Sequence, residues 1–283
     1  MNQAWIAPEY DEQLEKLEIE LLLEGLFRAY GYDFRHYAFP SLRRRIWHRI
    51  GLERLNTVSA LQERVLHDRE AFDRLLSDLV IPVTELFRDP GLFAYIREKL
   101  APALGRLPFA RIWHAGCASG EEAYSMAILL EEEGILSKSR IYATDINHAA
   151  LKTARDRLVP CDRYEQYRKN YERSGGKADF ALYVDGDPED GFTLKRRLNE
   201  RIVFAEHNLV TDRSFNEFHA IFCRNVMIYF NPELRNRVHR LLYESLADGG
   251  FLILGGKESI SFTKYEDKYE TWNDEFRVYR KIG

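Results

Sequence analysis

The chain has 283 residues, 45% of them hydrophobic and 13% aromatic, which indicates a folded protein with a large core rather than a disordered chain. No apolar run approaches the roughly 20 residues that a membrane-spanning helix needs. The N-terminus lacks the features of a signal peptide, so we expect a cytoplasmic protein. The three cysteines form no C-x-x-C pair and the eight histidines no zinc pattern, and we therefore expect neither disulfides nor a bound metal.

The net charge of −4 gives no general attraction to nucleic acid, but the charges are unevenly distributed. Between Glu9 and Glu24 there are seven carboxylates and one lysine, whereas the stretch from Arg28 to Arg54 contains seven arginines and two carboxylates. This basic stretch predicts an acidic partner.

Residues 1–80 are predicted to form a helical N-terminal domain, because apolar residues recur at helical spacing. Gly31 and the Phe39-Pro40 step separate its helices, and Ser41 is predicted to cap the basic helix that follows. A linker and a helix opened by Pro90 are predicted over residues 81–108. The apolar residues that mark the first two helices are Leu14, Leu17, Leu21, Leu42, Ile46 and Ile50.

From residue 109 onwards, short apolar strands alternate with helices, which is typical of a parallel sheet with crossover helices. Residues 269–272 and 276–280 are predicted to form a hairpin that adds antiparallel strands at the sheet edge. The predicted strands are residues 111–115, 140–144, 202–205, 220–223 and 251–254. The predicted helices are residues 121–133, 148–157 and 232–247.

The interval before Ile202 exceeds forty residues, which is too long for a simple loop. Turn-forming residues at 174–176 and 185–188 separate short strand-like runs within it. We therefore predict an antiparallel β subdomain inserted at about residues 162–201 of a domain that spans residues 109–283.

A glycine-containing loop, HAGCASGEE, joins the first predicted strand to the first helix at residues 114–122. Open α/β sheets bind ligands in this crevice, so Gly116 and its neighbours predict a nucleotide-like cofactor. Glu121 and Glu122 would repel a pyrophosphate, whereas they suit the cationic sulfonium and ammonium groups of S-adenosylmethionine (SAM). The same glutamates also complement a helix dipole, so the loop alone leaves both interpretations open.

Asp145 ends the second predicted strand, about 25 residues after the glycine loop. An acid at this position accepts hydrogen bonds from ribose hydroxyls, although it is also a plausible N-cap for the next helix. Together with the missing third glycine of the dinucleotide fingerprint, Asp145 favours SAM over NAD.

The most specific motif of the chain is IFCRNVMIYF at residues 221–230. With residues 84–89, 116–125, 143–147 and 207–209, it resembles the motifs of the CheR family, which methylates glutamate side chains of chemoreceptors. The resemblance implies an α/β fold, namely a Rossmann-like class I methyltransferase domain with an all-helical N-terminal domain and a small inserted antiparallel β subdomain. It also implies these SAM-binding residues: Thr84, Arg88, Glu121, Asp145, Asn208, Leu209, Arg224 and Asn225.

The implied reaction forms glutamyl methyl esters and S-adenosylhomocysteine (SAH). A glutamate side chain with a pKa near ~4.3 is already an anionic nucleophile at neutral pH, so no general base is needed. Arg88 is the candidate for orienting a carboxylate, unless it forms a surface ion pair with Asp89 or Glu85. Tyr229 is the candidate for hydrogen bonding to the attacking carboxylate, unless it is a packed aromatic residue.

Substrate recognition is predicted for the basic helix. At about 100° per residue, Arg44, Arg45 and His48 fall opposite the apolar stripe, with Arg43 at its margin. Such a cationic face would bind the acidic methylation helices of a chemoreceptor or receptor-like protein. Alternatively, it is a solvated face that pairs with the acidic residues of the first helix.

Two other functions stay open at this stage: methylation of RNA or a small molecule, and a non-catalytic module that senses SAM. Aromatic residues are sparse around the arginines and the net charge is negative, which disfavours nucleic acid. We expect a monomer that neither binds nucleic acid nor inserts into a membrane.

Overall fold

Two compact units make up the chain in the computed structural model, which describes residues 11–80, 84–187 and 191–282. The first unit comprises residues 1–81 and 229–237, and the second comprises residues 82–228 and 238–283. The start of the predicted linker, at residues 81–83, lies outside the described residues. Within the described ranges, no helix is both long and apolar enough to cross a membrane.

Four helices lie entirely within the described part of the first unit, where apolar residues at helical spacing predicted helices. The Asp11 side chain caps the first of them by accepting the N–H groups of Gln13 and Leu14, and Gly31 ends it with a φ of 80°. A bridge between Tyr37 and Phe230 joins the two parts of this unit. The helices are α1 Glu12–Tyr30, α2 Phe39–Leu52, α3 Val58–His67 and α4 Arg69–Leu79.

Two details of these helices differ from the predictions. Helix α2 begins at Phe39 with Ala38 as its N-cap, because Pro40 suits the first turn, and the prediction of Ser41 as the cap is wrong. The leucines that mark α1 are about half exposed, with Leu17 at 51%, while its buried face includes Leu22 and Leu26. Apolar residues occur at helical spacing on both faces of α1, so periodicity identified the helix but not its buried face.

The second unit carries the predicted alternation of strands and helices, and Pro90 does open a helix. A π-helical turn at Ile96–Leu100 follows that helix. The helices are α5 Pro90–Tyr95, α6 Ala101–Gly105, α7 Glu121–Glu132, α8 His148–Asp156, α9 Tyr164–Arg173, α10 Arg196–Asn199 and α11 Pro232–Ser245, the last of which starts in the first unit. The strands are β1 Ala110–Ala115, β2 Ser139–Asp145, β3 Leu158–Val159, β4 Val184–Asp187, β5 Gly191–Leu194, β6 Ile202–Glu206, β7 Phe218–Cys223, β8 Leu246–Leu254, β9 Tyr269–Asn273 and β10 Val278–Lys281.

Within the part of the chain that the structure describes, seven strands form the main sheet in the order β6-β2-β1-β7-β8-β10-β9. Strand β1 pairs in parallel with both β2 and β7, so the strand order reverses beside β1. The predicted C-terminal hairpin is confirmed, because β10 pairs antiparallel with β8 and β9 at this edge. The carboxyl ends of β1, β2 and β7 therefore meet where open α/β sheets bind ligands.

The inserted segment is only partly the predicted β subdomain. Its three-stranded antiparallel sheet has the order β3-β5-β4, but α9 occupies a stretch that was predicted to be strand-like. Residues 174–176 follow the end of this helix rather than joining two strands. A helix suits this stretch better than a strand, because Tyr167 and Tyr171 are four residues apart and are both buried on one helix face.

Candidate active site

The glycine loop after β1 is tied to the end of β2. The N–H groups of Gly116 and Cys117 donate to the carbonyl oxygen of Thr144 at 2.8 and 2.9 Å. The N–H group of Ala118 donates to Oδ2 of Asp145 at 2.7 Å. These three amides are therefore already engaged within the protein and do not form an open cradle for a phosphate group.

Gly116 is required for close packing. Its φ is 78°, and a Cβ atom at this position would lie 2.5 Å from Cγ2 of Val226, in the loop after β7. Any larger residue would both strain the backbone and push the loops after β1 and β7 apart. The glycine thus brings these two loops together, which the sequence pattern did not show.

Asp145 is buried at the carboxyl end of β2. Besides the bond from Ala118, its Oδ1 atom accepts the N–H group of Asn147 at 2.9 Å. Asn147, and not Asp145, caps α8 by accepting the N–H group of Ala150, so the alternative interpretation of Asp145 as the N-cap is wrong. Burial raises the pKa of Asp145, against the backbone hydrogen bonds, which lower it.

The two glutamates at the start of α7 have different environments. Glu121 accepts the hydroxyl of Ser119 at 2.8 Å, and burial raises its pKa. Glu122 binds Nδ1 of His114 at 2.9 Å and Nη1 of Arg224 at 2.6 Å. Burial acts to raise the pKa of Glu122, but the charges and hydrogen bonds of these two partners outweigh it and lower the pKa to about 2.

Arg224 lies at the end of β7 between two carboxylates, with 4% of its side chain exposed. Its Nη1 atom binds Glu122, and its Nη2 atom binds Asp89. The guanidinium thereby connects β7, α7 and the residue that precedes α5. These contacts occupy two of its nitrogens, and the cofactor contact that the family resemblance implied stays a prediction.

Thr84 and Arg88 lie in a linker segment, residues 84–89, and both side chains are partly buried. On either side of Arg88, Phe87 has a φ of 51° and Asp89 a φ of 59°. The N–H group of Phe87 donates to Oγ of Ser125 at 2.7 Å, which ties the linker segment to α7. Left-handed backbone at two non-glycine residues is the kind of strain that is often found at functional sites.

Asn208 and Leu209 lie in the turn that follows β6. Oδ1 of Asn208 accepts the N–H group of Val210 at 2.9 Å, and its own N–H group donates to Oδ2 of Asp212 at 2.8 Å. The Leu209 side chain is largely buried, with 9% exposed. This turn adjoins the carboxyl end of β6, the strand next to β2.

Glu258 is a site residue that the sequence analysis missed. Its buried carboxylate accepts four backbone N–H groups, those of Asn225, Val226, Met227 and Gly255, at 2.7 to 2.9 Å. Asn225 has a φ of 60°, so the loop after β7 is held in a conformation that is uncommon for a residue with a side chain. Glu258 thereby fixes the segment that carries Asn225, although no motif at its own position predicted this.

Replacing Glu258 with glutamine should weaken SAH binding about tenfold. The amide nitrogen of glutamine cannot accept the backbone N–H groups that one carboxylate oxygen now accepts. Each N–H group left without an acceptor costs about 1–3 kcal/mol. Calorimetric titration with SAH measures this effect. Glu266→Gln is the control, since the Glu266 carboxylate accepts the N–H group of Phe262 at an exposed position, 2.8 Å away. Equal affinities for the two variants would contradict the role of Glu258.

The basic helix α2 does not expose the whole predicted cationic face. Arg44 and His48 are exposed, as predicted. Arg43 is half exposed, and its Nε atom binds Glu15 of α1 at 2.7 Å, so the alternative of pairing with the acidic helix holds at this position.

Arg45 is buried, and its prediction as an exposed residue is wrong. Its Nη1 atom donates to the carbonyl oxygen of Leu79, at the end of α4, where helix carbonyls lack partners within the helix. Its guanidinium lies 4.5 Å from the ring centroid of Tyr229. Among the described residues, its Nε and Nη2 atoms have no hydrogen-bond partner, and burial lowers its pKa.

The sheet order, the loop after β1 and the buried acid at the end of β2 are typical of α/β proteins that bind a nucleoside-type cofactor at the carboxyl edge of the sheet. Comparison with known families gives the particular family. Residues 82–275 match the model described as "CheR methyltransferase, SAM binding domain", and residues 17–80 match "CheR methyltransferase, all-alpha domain". The chain belongs to the CheR methyltransferase family, and its cofactor is SAM.

Two relatives with similar sequences agree with this assignment. A Pseudomonas putida protein named as methyltransferase Cher3 is 44% identical over 270 residues, which cover 95% of this chain and 98% of that protein. A chemotaxis protein methyltransferase of Listeria monocytogenes is 31% identical over 82% of this chain and 86% of its own length. A solved SAM-dependent methyltransferase of Geobacter sulfurreducens, in complex with SAH, is 15% identical over 61% of this chain and 48% of its own, with a TM-score of 0.33.

Proposed function

We propose that this chain transfers the methyl group of SAM to glutamate carboxylates of a chemoreceptor or receptor-like protein, in the cytoplasm, and releases SAH. Relatives named as chemotaxis protein methyltransferases from Listeria monocytogenes and Vibrio cholerae support this substrate class. The structural observation that carries the proposal is the buried guanidinium of Arg45 beside Tyr229, with two nitrogens that have no partner among the described residues.

Unsatisfied N–H groups on a buried guanidinium are costly, and an incoming carboxylate would remove that cost by accepting them. A guanidinium binds a carboxylate through two parallel hydrogen bonds, which would also orient it. We assign Tyr229 a hydrogen bond to the same carboxylate, because its ring lies against this guanidinium. The exposed side chains of Arg44 and His48 would attract the acidic helix that carries the glutamate, and the half-exposed Arg43 would add to this charge beside its partner Glu15.

The donor set at the sheet edge fits SAM better than a phosphate-bearing cofactor. The loop amides are engaged, while the partly buried Glu121 and the buried Asp145 supply carboxylates. We assign the cofactor to Gly116 and to the eight residues that the family motifs indicate, with Arg88 orienting a carboxylate of either reactant. When bound, SAM supplies an electrophilic methyl group on a sulfonium, and this chain has to position both reactants and exclude water.

The test is transfer of labelled methyl from SAM to the cytoplasmic fragment of a candidate receptor, followed by mild alkali. Glutamyl methyl esters hydrolyse and release labelled methanol, and we expect most of the label to be lost in this way. Label that resists alkali would indicate methylation of an amine or a ring and would refute the proposed reaction.

Replacing Arg45 with alanine should lower receptor methylation at least tenfold and leave SAH binding unchanged, because hydrogen bonds to a charged group contribute about 1.5–3 kcal/mol. Arg44→Ala is the matched control on the same helix, with an expected loss of a few-fold that disappears at high salt. Initial rates at two ionic strengths measure both effects. An Arg45→Ala enzyme that methylates receptor at the normal rate would show that this guanidinium does not bind the substrate.

A further inference from the structure

Helix α9 of the inserted segment contacts the linker segment through Asn170. The Nδ2 atom of Asn170 donates to Oε2 of Glu85 at 3.0 Å and to the carbonyl oxygen of Leu86 at 3.1 Å. Its Oδ1 atom accepts Nε2 of Gln166 at 2.8 Å. Both ends of this buried amide are therefore engaged, and its donor end is directed at the linker segment.

The same helix reaches the start of α7. Tyr167 is buried, with 2% exposed, and its burial together with the nearby charge of Glu121 raises the pKa of its hydroxyl. One turn further along α9, the ring of Tyr171 packs edge-on against Phe87 with ring centroids 5.3 Å apart. Three residues on one face of α9 thus contact two separate parts of the proposed cofactor site.

The linker segment needs such contacts to keep its shape. Phe87 and Asp89, which flank Arg88, both have positive φ angles, and a backbone of this kind persists only where surrounding contacts hold it. Asn170 holds the segment before Arg88, while Arg224 binds Asp89 after it. The position of Arg88 therefore depends on a helix that the parallel-sheet architecture does not itself require.

We propose that α9 forms a wall of the cofactor site, with Asn170 and Tyr167 as residues that position the linker segment and Glu121. The inserted segment then determines affinity for SAM and SAH in addition to any contact with a partner protein. This inference rests on the proposed function, because it takes the linker segment and Glu121 to be cofactor contacts.

Calorimetric titration of the full chain with SAH tests the proposal on two variants. Asn170→Ala removes the donor to the linker segment and should raise the dissociation constant about tenfold. Tyr167→Phe removes only the hydroxyl near Glu121 and should raise it about fivefold. The matched controls are Arg168→Ala, whose exposed ion pairs are with Glu165 and Glu172, and Tyr164→Phe on the same helix. Changes below about twofold are expected at these positions, because their contacts do not reach the site.

Hydrogen exchange separates positioning from a general loss of structure. In Asn170→Ala, the amide of Phe87, which is bonded to Ser125, should exchange faster than in the native chain, while amides of β1 and β2 should be unaffected. If Asn170→Ala fails to fold, the near-isosteric Tyr167→Phe variant still decides the question. Native binding with unchanged affinity in Tyr167→Phe would overturn the proposal, whereas a native chain that binds no SAH would refute the proposed function instead.

Discussion

Replacing Asp145 with alanine is expected to reduce SAH binding more than 100-fold. The carboxylate accepts two backbone N–H groups, one from Ala118 in the glycine loop and one from Asn147 before α8. Without it, both groups lose their acceptor at a cost of about 1–3 kcal/mol each, and every 1.4 kcal/mol of lost binding is about tenfold in affinity. The loop would also lose the bond that fixes Ala118, whose φ is 48°. Calorimetric titration with SAH measures the effect.

Asp145→Asn refines this experiment, because asparagine has the same size as aspartate. Its amide NH2 group replaces one carboxylate oxygen, so one of the two backbone N–H groups loses its acceptor. Its affinity should fall between those of the native chain and Asp145→Ala. Asp156→Asn is the control, since this acid pairs with Lys152 on the exposed side of α8. SAH binding by Asp145→Ala at native affinity would remove Asp145 from the proposed cofactor site.

Replacing Arg224 with alanine is expected to lower the free energy of unfolding by about 3–5 kcal/mol, the usual range when one partner of a buried ion pair is removed. The change leaves the carboxylate of Glu122, 17% exposed, without its cationic partner, and it releases Asp89 from the end of β7. Urea denaturation at neutral pH measures the loss. Arg240→Ala is the control, because that arginine forms an exposed pair with Glu244 on α11 and its removal should leave the stability almost unchanged.

The same ion pair predicts how stability depends on pH. The pKa of Glu122 is lowered from 4.5 to about 2, so its ionised form stabilises the folded state. That contribution, of about 3 kcal/mol, is fully present above about pH 4.5 and is lost as the pH falls towards 2. A Glu122→Gln variant should lack this part of the acid dependence. Parallel pH profiles for the native chain and the variant would contradict the ion-pair assignment.

Glu121 and Glu122, which follow the glycine loop, have different hydrogen-bond partners, and this difference explains why the loop suits a cationic cofactor. Arg224 and His114 hydrogen-bond to Glu122, whereas Glu121 accepts the neutral hydroxyl group of Ser119. A carboxylate whose hydrogen-bond partner is a neutral hydroxyl keeps its negative charge available to a sulfonium or an ammonium group. The alternative in which both glutamates only complement the helix dipole does not account for this difference.

The sequence by itself determined the features that depend on residues close together along the chain. The strands, the glycine loop and the position of Asp145 follow from short-range patterns, because the alternation of apolar runs and turns reflects local backbone preferences. The family motifs are also contiguous stretches, and residues 221–230 indicated the same family that the full comparison showed. Two strands begin earlier than predicted: β7 begins at Phe218 rather than at residue 220, and β8 at Leu246 rather than at residue 251.

Only the tertiary structure decided the features that join distant parts of the chain. Glu258 binds backbone that lies 33 residues earlier at Asn225, and Asn170 binds a linker segment more than 80 residues before it. Arg45 is buried because an unpaired helix carbonyl and an aromatic ring from distant segments surround it, although its place on the helical wheel predicted exposure. Helical periodicity reports which residues share a face, but the burial of that face depends on which other elements pack against it.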